Sequence, residues 1–267
     1  MIQPDYTRTE IDLRTAVTGW RLWVRLGWQD VKRRYRRTAI GPFWSTLSLG
    51  IFMLTLGILW SRLWKQDIRG YLPFLCAGML PWVLMSSIVT EACSVFTGNE
   101  SIIKSMWFSF TVLSCVVVWR NLIVLGHNAV IFLVIAVICL VPVTANTFLV
   151  IPGLLLFCLN ALWITILLGM VCSRYRDVAP LVTSILQIAM FVTPIFWAPA
   201  QLGAGRVNAV LVDFNPIYHF IDMIRSPLLG NAPTLWTYEA VMMFTVFGWL
   251  GTLALFSRFA RRIAFWI

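Results

Sequence analysis

Charge is what this chain has least of. Only 12% of its 267 residues are Asp, Glu, Lys or Arg. A soluble domain carries about twice that share, so charge at this level does not solvate the surface of a 30.5 kDa globule. A hydrophobic fraction of 60% and a mean hydropathy of +0.82 lead to the same place: much of the surface faces lipid. Acidic residues are absent from the central parts of the apolar segments, where an ion-coupled carrier keeps its relay. Glu91 stands near the end of one segment, and Asp213 and Asp222 fall in an irregular stretch.

An engine is missing as well. No Gly-Lys pair occurs, which excludes a phosphate-binding G-x-x-x-x-G-K-[ST] loop. H-E-x-x-H and G-x-S-x-G are absent, and His127 and His219 are far apart in sequence. The six cysteines each lie within or at the edge of an apolar segment, without a C-x-x-C pair, and read as small packing residues. The chain is therefore expected to be no enzyme and to hold no cofactor or metal. Work for active transport has to come from outside it, and the missing acidic relay points to a partner ATPase rather than a gradient. Residues 1–39 have no uninterrupted apolar core, so they are not a signal peptide.

What is present is a series of six apolar segments, near 40–60, 71–95, 107–143, 148–172, 178–197 and 235–256. A spanning helix needs about 20 apolar residues. The reading is an all-α integral membrane protein of six spans: a cytoplasmic N-terminal segment at 1–39 and a permease domain at 40–267. The third segment is too long for a simple span and reads as a tilted helix or as an interfacial piece before the span proper.

Orientation follows from Lys and Arg. Arg8, Arg14, Arg21, Arg25, Lys32, Arg33, Arg34, Arg36 and Arg37 precede the first segment. With six spans, Lys104, Arg174, Arg176, Arg258, Arg261 and Arg262 join them on one side, against Arg62, Lys65, Arg69, Arg206 and Arg225 on the other. Both termini are thus expected in the cytoplasm, and the net charge of +10 needs no nucleic acid to explain it. Leu13, Val17, Trp20, Val24, Val31 and Tyr35 recur at helical steps beside a row of Arg14, Arg21, Arg25 and Lys32. That pattern predicts an amphipathic helix on the membrane surface, or one packed on a soluble partner.

Three internal features carry candidate roles. Arg120 shares a helix face with His127, as Asn121 does with Asn128. They form either a polar stripe facing a conduit or, the favoured reading, an arginine at the cytoplasmic end of the third span, snorkelling beside Trp119 or pairing with Glu91. Residues 97–104 are short and polar and start like a helix, which reads as a docking helix for a soluble partner or, equally, as an ordinary loop. Residues 215–230 begin with Asn215 and Pro216 and stop at Gly230, with Asp222 and Arg225 three apart. This helix is too short to cross a bilayer. With Pro194 and Pro199 before it, it suggests short re-entrant helices from the extracytoplasmic side between spans five and six. Aromatic residues gather at the same predicted ends, among them Trp60, Trp64, Phe191, Phe196, Trp197, Tyr218 and Phe220. They serve an interfacial belt and, alternatively, sugar contact as well.

Four stretches carry a resemblance: GWQDVKRRYRRTAIGPFW at 27–44, VWRNLIVLGHN at 118–128, CSRYRD at 172–177 with FVTPIFW at 191–197, and NPIYHFIDMIRSPLLG at 215–230. Together they resemble the permease of ABC-type polysaccharide exporters, the O-antigen subgroup in particular. Many relatives carry Pro shortly after the first stretch, where this chain has Leu49. The resemblance implies a homodimer in the bacterial inner membrane with two copies of a soluble ABC ATPase, which binds ATP and Mg. It implies an undecaprenyl-diphosphate-linked polysaccharide as substrate, threaded between the two permeases. By the same resemblance, Arg33, Arg34, Arg36 and Arg37 lie at the entrance and meet the diphosphate. Trp60, Phe191, Phe196, Trp197, Tyr218 and Phe220 are aromatic candidates along the glycan channel. Gly98, Asn99, Glu100, Ser101, Ile102 and Lys104 form the coupling helix for the ATPase, and Asn215, Pro216, Asp222 and Arg225 belong to an extracytoplasmic gate. Exporters of teichoic acid, capsule, or a small lipid or drug are the alternatives. A membrane scaffold or glycosyltransferase subunit is a third.

Overall fold

A computed structural model describes residues 6–36, 41, 43–106, 108–199 and 209–267. Most of those residues are helical, with no strand among them. The helices are α1 (Tyr6–Thr18), α2 (Trp20–Tyr35), α3 (Phe43–Leu63), α4 (Ile68–Ala92), α5 (Glu100–Ser105), α6 (Phe110–Ile138), α7 (Val150–Arg174), α8 (Val178–Val192), α9 (Pro216–Leu228) and α10 (Leu235–Trp266). Five of them, α3, α4, α6, α7 and α10, are long and apolar enough to cross a membrane, while α8 is a shorter apolar helix.

The predicted amphipathic helix is two helices. Gly19 breaks it: the Gly19 amide is accepted by Thr15 O at 2.8 Å, and the indole of Trp23 donates back to Ala16 O at 3.0 Å. The single apolar stripe read across residues 13–35 is therefore split, with Val17 and Trp20 exposed and Val31 buried. α1 is fastened to the start of α6 by Asp12. Its carboxylate accepts from the amides of Phe110 (2.9 Å) and Thr111 (3.0 Å) and from the Thr111 hydroxyl, capping free N–H groups and facing the positive end of the helix dipole. α2 lies against α6 where Gly27 allows it: a Cβ there would meet Trp119 at 2.8 Å.

α4 is the central helix, with 72% of its apolar window buried against 22% for α3 and for α6. One cluster gathers around Phe96, Phe110, Phe157, Met223 and Phe256, and another around Met53, Leu75, Trp82, Ile195 and Phe196. The long third segment resolves into one helix whose surroundings change at Arg120. Phe110–Leu113 and Val116–Val118 are buried under protein, whereas Val130, Leu133, Val134 and Val137 are exposed. α3 runs as one α-helix past Leu49.

The ends of the molecule differ in charge. One, the basic end, holds α1, α2, α5, the last turns of α4, α7 and α10 and the start of α6. There Arg174 stacks on Trp266 at 5.1 Å and Phe110 meets Phe256 at 6.0 Å. The opposite end holds Arg62, Lys65, Arg69 and the short helix α9. α8 leaves the basic end after Asp177 and, at 15 residues, extends about 22 Å. α9 starts with Asn215 as N-cap and Pro216 at its first position, and ends before Gly230, whose φ of +83° suits glycine. It nests on α7, where a Cβ on Gly153 would meet Met223 O at 2.9 Å.

Candidate functional site

At the basic end, a cavity of about 830 Å³ is lined by Trp28, Gln29, Val31, Lys32, Arg33, Tyr35, Arg36, Gly41 and His127. The second half of α2, with its C-cap Arg36, supplies most of it. The wall across it comes from His127 on α6 and from Gly41, whose φ of +63° turns the chain into α3. Of the four arginines expected at an entrance, Arg33 and Arg36 line this cavity. Arg34 is turned to Glu91, and Arg37 lies outside the described residues.

Behind the cavity runs an ion network tying three helices together. Arg120 donates through Nη2 to Glu91 (2.7 Å) and through Nη1 to Asp30 (3.1 Å). Arg34 donates to the other oxygen of Glu91 at 3.0 Å, and Arg33 to the other oxygen of Asp30 at 3.0 Å. The Asn121 amide adds a donor to Glu91 at 2.7 Å. Each carboxylate thus bridges two guanidinium groups, and α2 is held to α4 and α6 by charge. The pairing of Arg120 with Glu91 is the favoured sequence reading. The Asn121–Asn128 stripe is buried inside the chain, with Asn128 accepting from the Thr46 hydroxyl at 3.1 Å. Asp30, the acidic residue inside a basic run, had no assigned part in the sequence, and His127 entered only as a companion of Arg120 on a polar helix face. Only the packing of α2 on α6 brings them in.

The segment at 97–104 forms a turn at Thr97–Asn99 followed by α5. Ile103 anchors it in the core, while Gly98, Glu100, Ser101, Ile102 and Lys104 face outward. Lys104 pairs with Glu100 at 2.6 Å along the helix, and this holds the Glu100 carboxyl below the ordinary carboxylate range. A recess of about 540 Å³ separates α5 from α2, lined by Gly98, Asn99 and Ile102 on one side and Arg33, Arg34 and Asp30 on the other. Two sets of residues assigned to separate tasks thus share one recess.

The opposite end is built on burial. Arg225, 3% exposed, donates to Pro194 O at 2.6 Å and to Asp222 at 3.3 Å, and lies over the rings of Phe74 (4.7 Å) and Tyr218 (5.4 Å). Asp222 also accepts from Ser226 (2.8 Å) and Thr237 (3.4 Å). Thr237 in turn meets His219 at 3.3 Å, and the other nitrogen of His219 donates to Asp213 O at 2.9 Å. Asn215 caps α9 and also donates to Thr193 at 3.1 Å. All four residues assigned to a gate therefore lie on one element pinned to the end of α8.

Four of the six aromatic candidates come together. Trp60 stacks on Phe196 at 6.5 Å, Phe191 meets Phe196 at 5.8 Å, and the Trp197 indole donates to Phe191 O at 3.2 Å. Tyr71 secures the group with a 2.6 Å bond to Phe196 O. Tyr218 faces Arg225 instead, and Phe220 is buried between Phe157 and Phe244. Among the described residues no group of three or more His, Cys, Asp or Glu is placed to hold a metal ion.

Residues 21–229 match the family described as ABC-2 type transporter. The O-antigen export system permease protein RfbA of Myxococcus xanthus is 24% identical over 196 residues, covering 73% of this chain and 75% of that protein. Two proteins of the same name from Klebsiella pneumoniae are each 23% identical, one over 222 residues (81% and 83%) and one over 254 residues (88% and 91%).

Proposed function

The chain belongs to the ABC-2 type transporter family, and from that membership we propose that it is the membrane subunit of an ATP-driven exporter of O-antigen polysaccharide carried on undecaprenyl diphosphate. Two copies form the channel in the inner membrane, and two copies of a separate ATPase bind ATP and Mg and supply the work. The observation that carries the reading is the cavity where Lys32, Arg33 and Arg36 converge beside an apolar, membrane-length helix pair. A diphosphate on a lipid needs cations at that boundary, as basic stems remain in the apolar layer while their charges reach a headgroup. The relatives' names favour a polysaccharide over a teichoic acid, capsule or drug-like substrate.

Both termini lie in the cytoplasm, with the basic end inward. α8 is the remaining crossing, making six, and α9 with the 193–197 turn enters from outside as a re-entrant pair. Irregular backbone at that depth is acceptable because the Arg225 guanidinium satisfies the Pro194 carbonyl. This pair acts as the gate, and Trp60, Phe191, Phe196 and Trp197 offer faces for sugar rings near it. α5 receives the ATPase, whose stroke reaches the cavity through the recess shared with α2.

The decisive experiment deletes the gene in its host and measures surface glycan. Loss of the long-chain glycan, restored by the gene and not by a copy lacking residues 98–103 that still inserts, is the expected result. Glycan at normal levels after deletion overturns the proposal.

A further inference from the structure

Next to the basic cavity, a separate furrow of about 480 Å³ runs between α3 and α6, lined from Phe43 to Leu54 on one helix and from Val130 to Ile138 on the other. On α3 that is about 16 Å of helix. Apart from Thr46 and Gly50 the lining is aliphatic or aromatic, and the Thr46 hydroxyl is already spent on Asn128. Gly50 lines the furrow, and a Cβ there would find the Ile131 side chain as its nearest neighbour, at 3.5–3.8 Å. The two spaces meet at one side-chain pair, where the rings of His127 and Phe43 lie 5.6 Å apart and nearly perpendicular. His127 belongs to the cavity and Phe43 to the furrow. Its Nδ1 donates to Ile123 O at 2.8 Å, since a carbonyl only accepts. That leaves Nε2 as the ring's other polar atom.

Resting on the export reading above, which seats the carrier's diphosphate among Lys32, Arg33 and Arg36, we propose that the furrow holds that carrier's polyprenyl chain between α3 and α6, its head end at the Phe43–His127 pair. Charge and shape select this occupant. Among the described residues neither Lys32 nor Arg36 has an acidic partner, so the cavity calls for a multiply charged anion. A second copy of the chain in the furrow is the alternative that the crosslink below tests. An ordinary phospholipid brings one phosphodiester charge, where a diphosphate brings more for the same three side chains. The furrow gives the tail a place on the protein while the head waits at the boundary, so the glycan is presented to the channel from a fixed point.

The test uses the full-length chain in nanodiscs of phosphatidylethanolamine and phosphatidylglycerol, with an undecaprenyl diphosphate analogue carrying a diazirine on its tail. Photolysis is expected to label residues 43–54 and 130–138, and unlabelled undecaprenyl diphosphate to compete where added phosphatidylglycerol does not. Gly50→Trp, which fills the furrow at that point, is expected to lower furrow labelling by about tenfold. That is what displacing roughly two methylenes implies at about 0.8 kcal/mol each, with 1.4 kcal/mol per tenfold. The labelling of the unaltered chain stands by itself should that variant fold poorly. Label spread evenly over α7 and α10, or competed equally by phosphatidylglycerol, overturns the proposal in favour of bulk lipid. A Leu47→Cys crosslink between two copies overturns it in favour of a dimer seam. Label lost with Lys32→Ala and Arg36→Ala but landing outside the furrow sinks the tail site alone and leaves the export reading standing. Normal surface glycan without the gene sinks the export reading, whatever the labels show.

Discussion

The two charged clusters of this protein are built on opposite plans. At the basic end, Asp30, Arg34, Glu91 and Arg120 join three helices through side chains that are still partly open to solvent, Arg34 about half exposed. At the other end, Asp222 and Arg225 are almost wholly buried and joined within one short helix, and their remaining hydrogen bonds go to Pro194, Ser226 and Thr237. A half-exposed network with shared carboxylates has alternatives: a guanidinium leaving one oxygen finds water or an anion. A buried one has none, because an unpaired ion in that setting costs several kcal/mol. The first suits a joint that yields when substrate or partner arrives. The second suits a latch that is either closed or fully rearranged.

The sharpest way to break this contrast is at Arg225. Arg225→Met strands the Asp222 carboxylate and the Pro194 carbonyl together, and a loss of about 3–5 kcal/mol in stability is expected. It is read from thermal unfolding of the purified chain, and adding Asp222→Asn should recover part of it. An Arg225→Met protein as stable as the parent would show that the buried pair is no latch.

Glu91→Gln tests the other side. It removes the charge that two arginines share, and a local loss of about 1–3 kcal/mol is expected. Hydrogen exchange should quicken across α2 (Trp20–Tyr35) while α9 keeps its protection. If both ends loosen equally, the clusters are one cooperative unit and the contrast fails. A smaller effect is expected from Asp12→Asn, about 1 kcal/mol, since the amide retains one acceptor for the start of α6 but gives up its charge at the helix dipole. Exchange at Phe110 and Thr111 reports it directly.

The gentlest probe is acid. The Glu100 carboxyl is held low by the Lys104 hydrogen bond and charge. A depressed value in the folded chain means the contribution is fully present above the ordinary Glu value of about 4.3 and is lost as pH falls through the folded one. The protection of α5 amides, taken relative to their intrinsic exchange rate at each pH, should therefore be flat around neutrality and fall only in strong acid. A fall near pH 6 would point to some other group as the holder of that helix.

Much of the fold was legible before any coordinates. Five of the six apolar segments stand as helices long enough to cross a membrane, and the Pro216 start and Gly230 stop of α9 and the Asp222–Arg225 pair at three-residue spacing stand too, because each depends on neighbours along the chain. The split at Gly19 was not legible: an apolar stripe continues through a bend without changing its period. Nor was the separation of Phe220 from Trp60, Phe191, Phe196 and Trp197. All five sit at the same predicted end, yet Phe220 points from α9 into α7 and α10.

What the sequence determined alone was the solvent it needs, the helices it forms and the absence of any recognised nucleotide-binding loop or catalytic motif within it. Those follow from composition and from periods of a few residues. That Asp30 meets Arg120, and Arg34 meets Glu91, was decided only by tertiary structure. Asp30, Glu91 and Arg120 are far apart along the chain, and nothing in their spacing says that α2 docks where α4 ends and α6 turns from protein-covered to lipid-facing. A salt bridge depends on a few ångströms between side chains on separate helices, and that distance is set by how the helices pack.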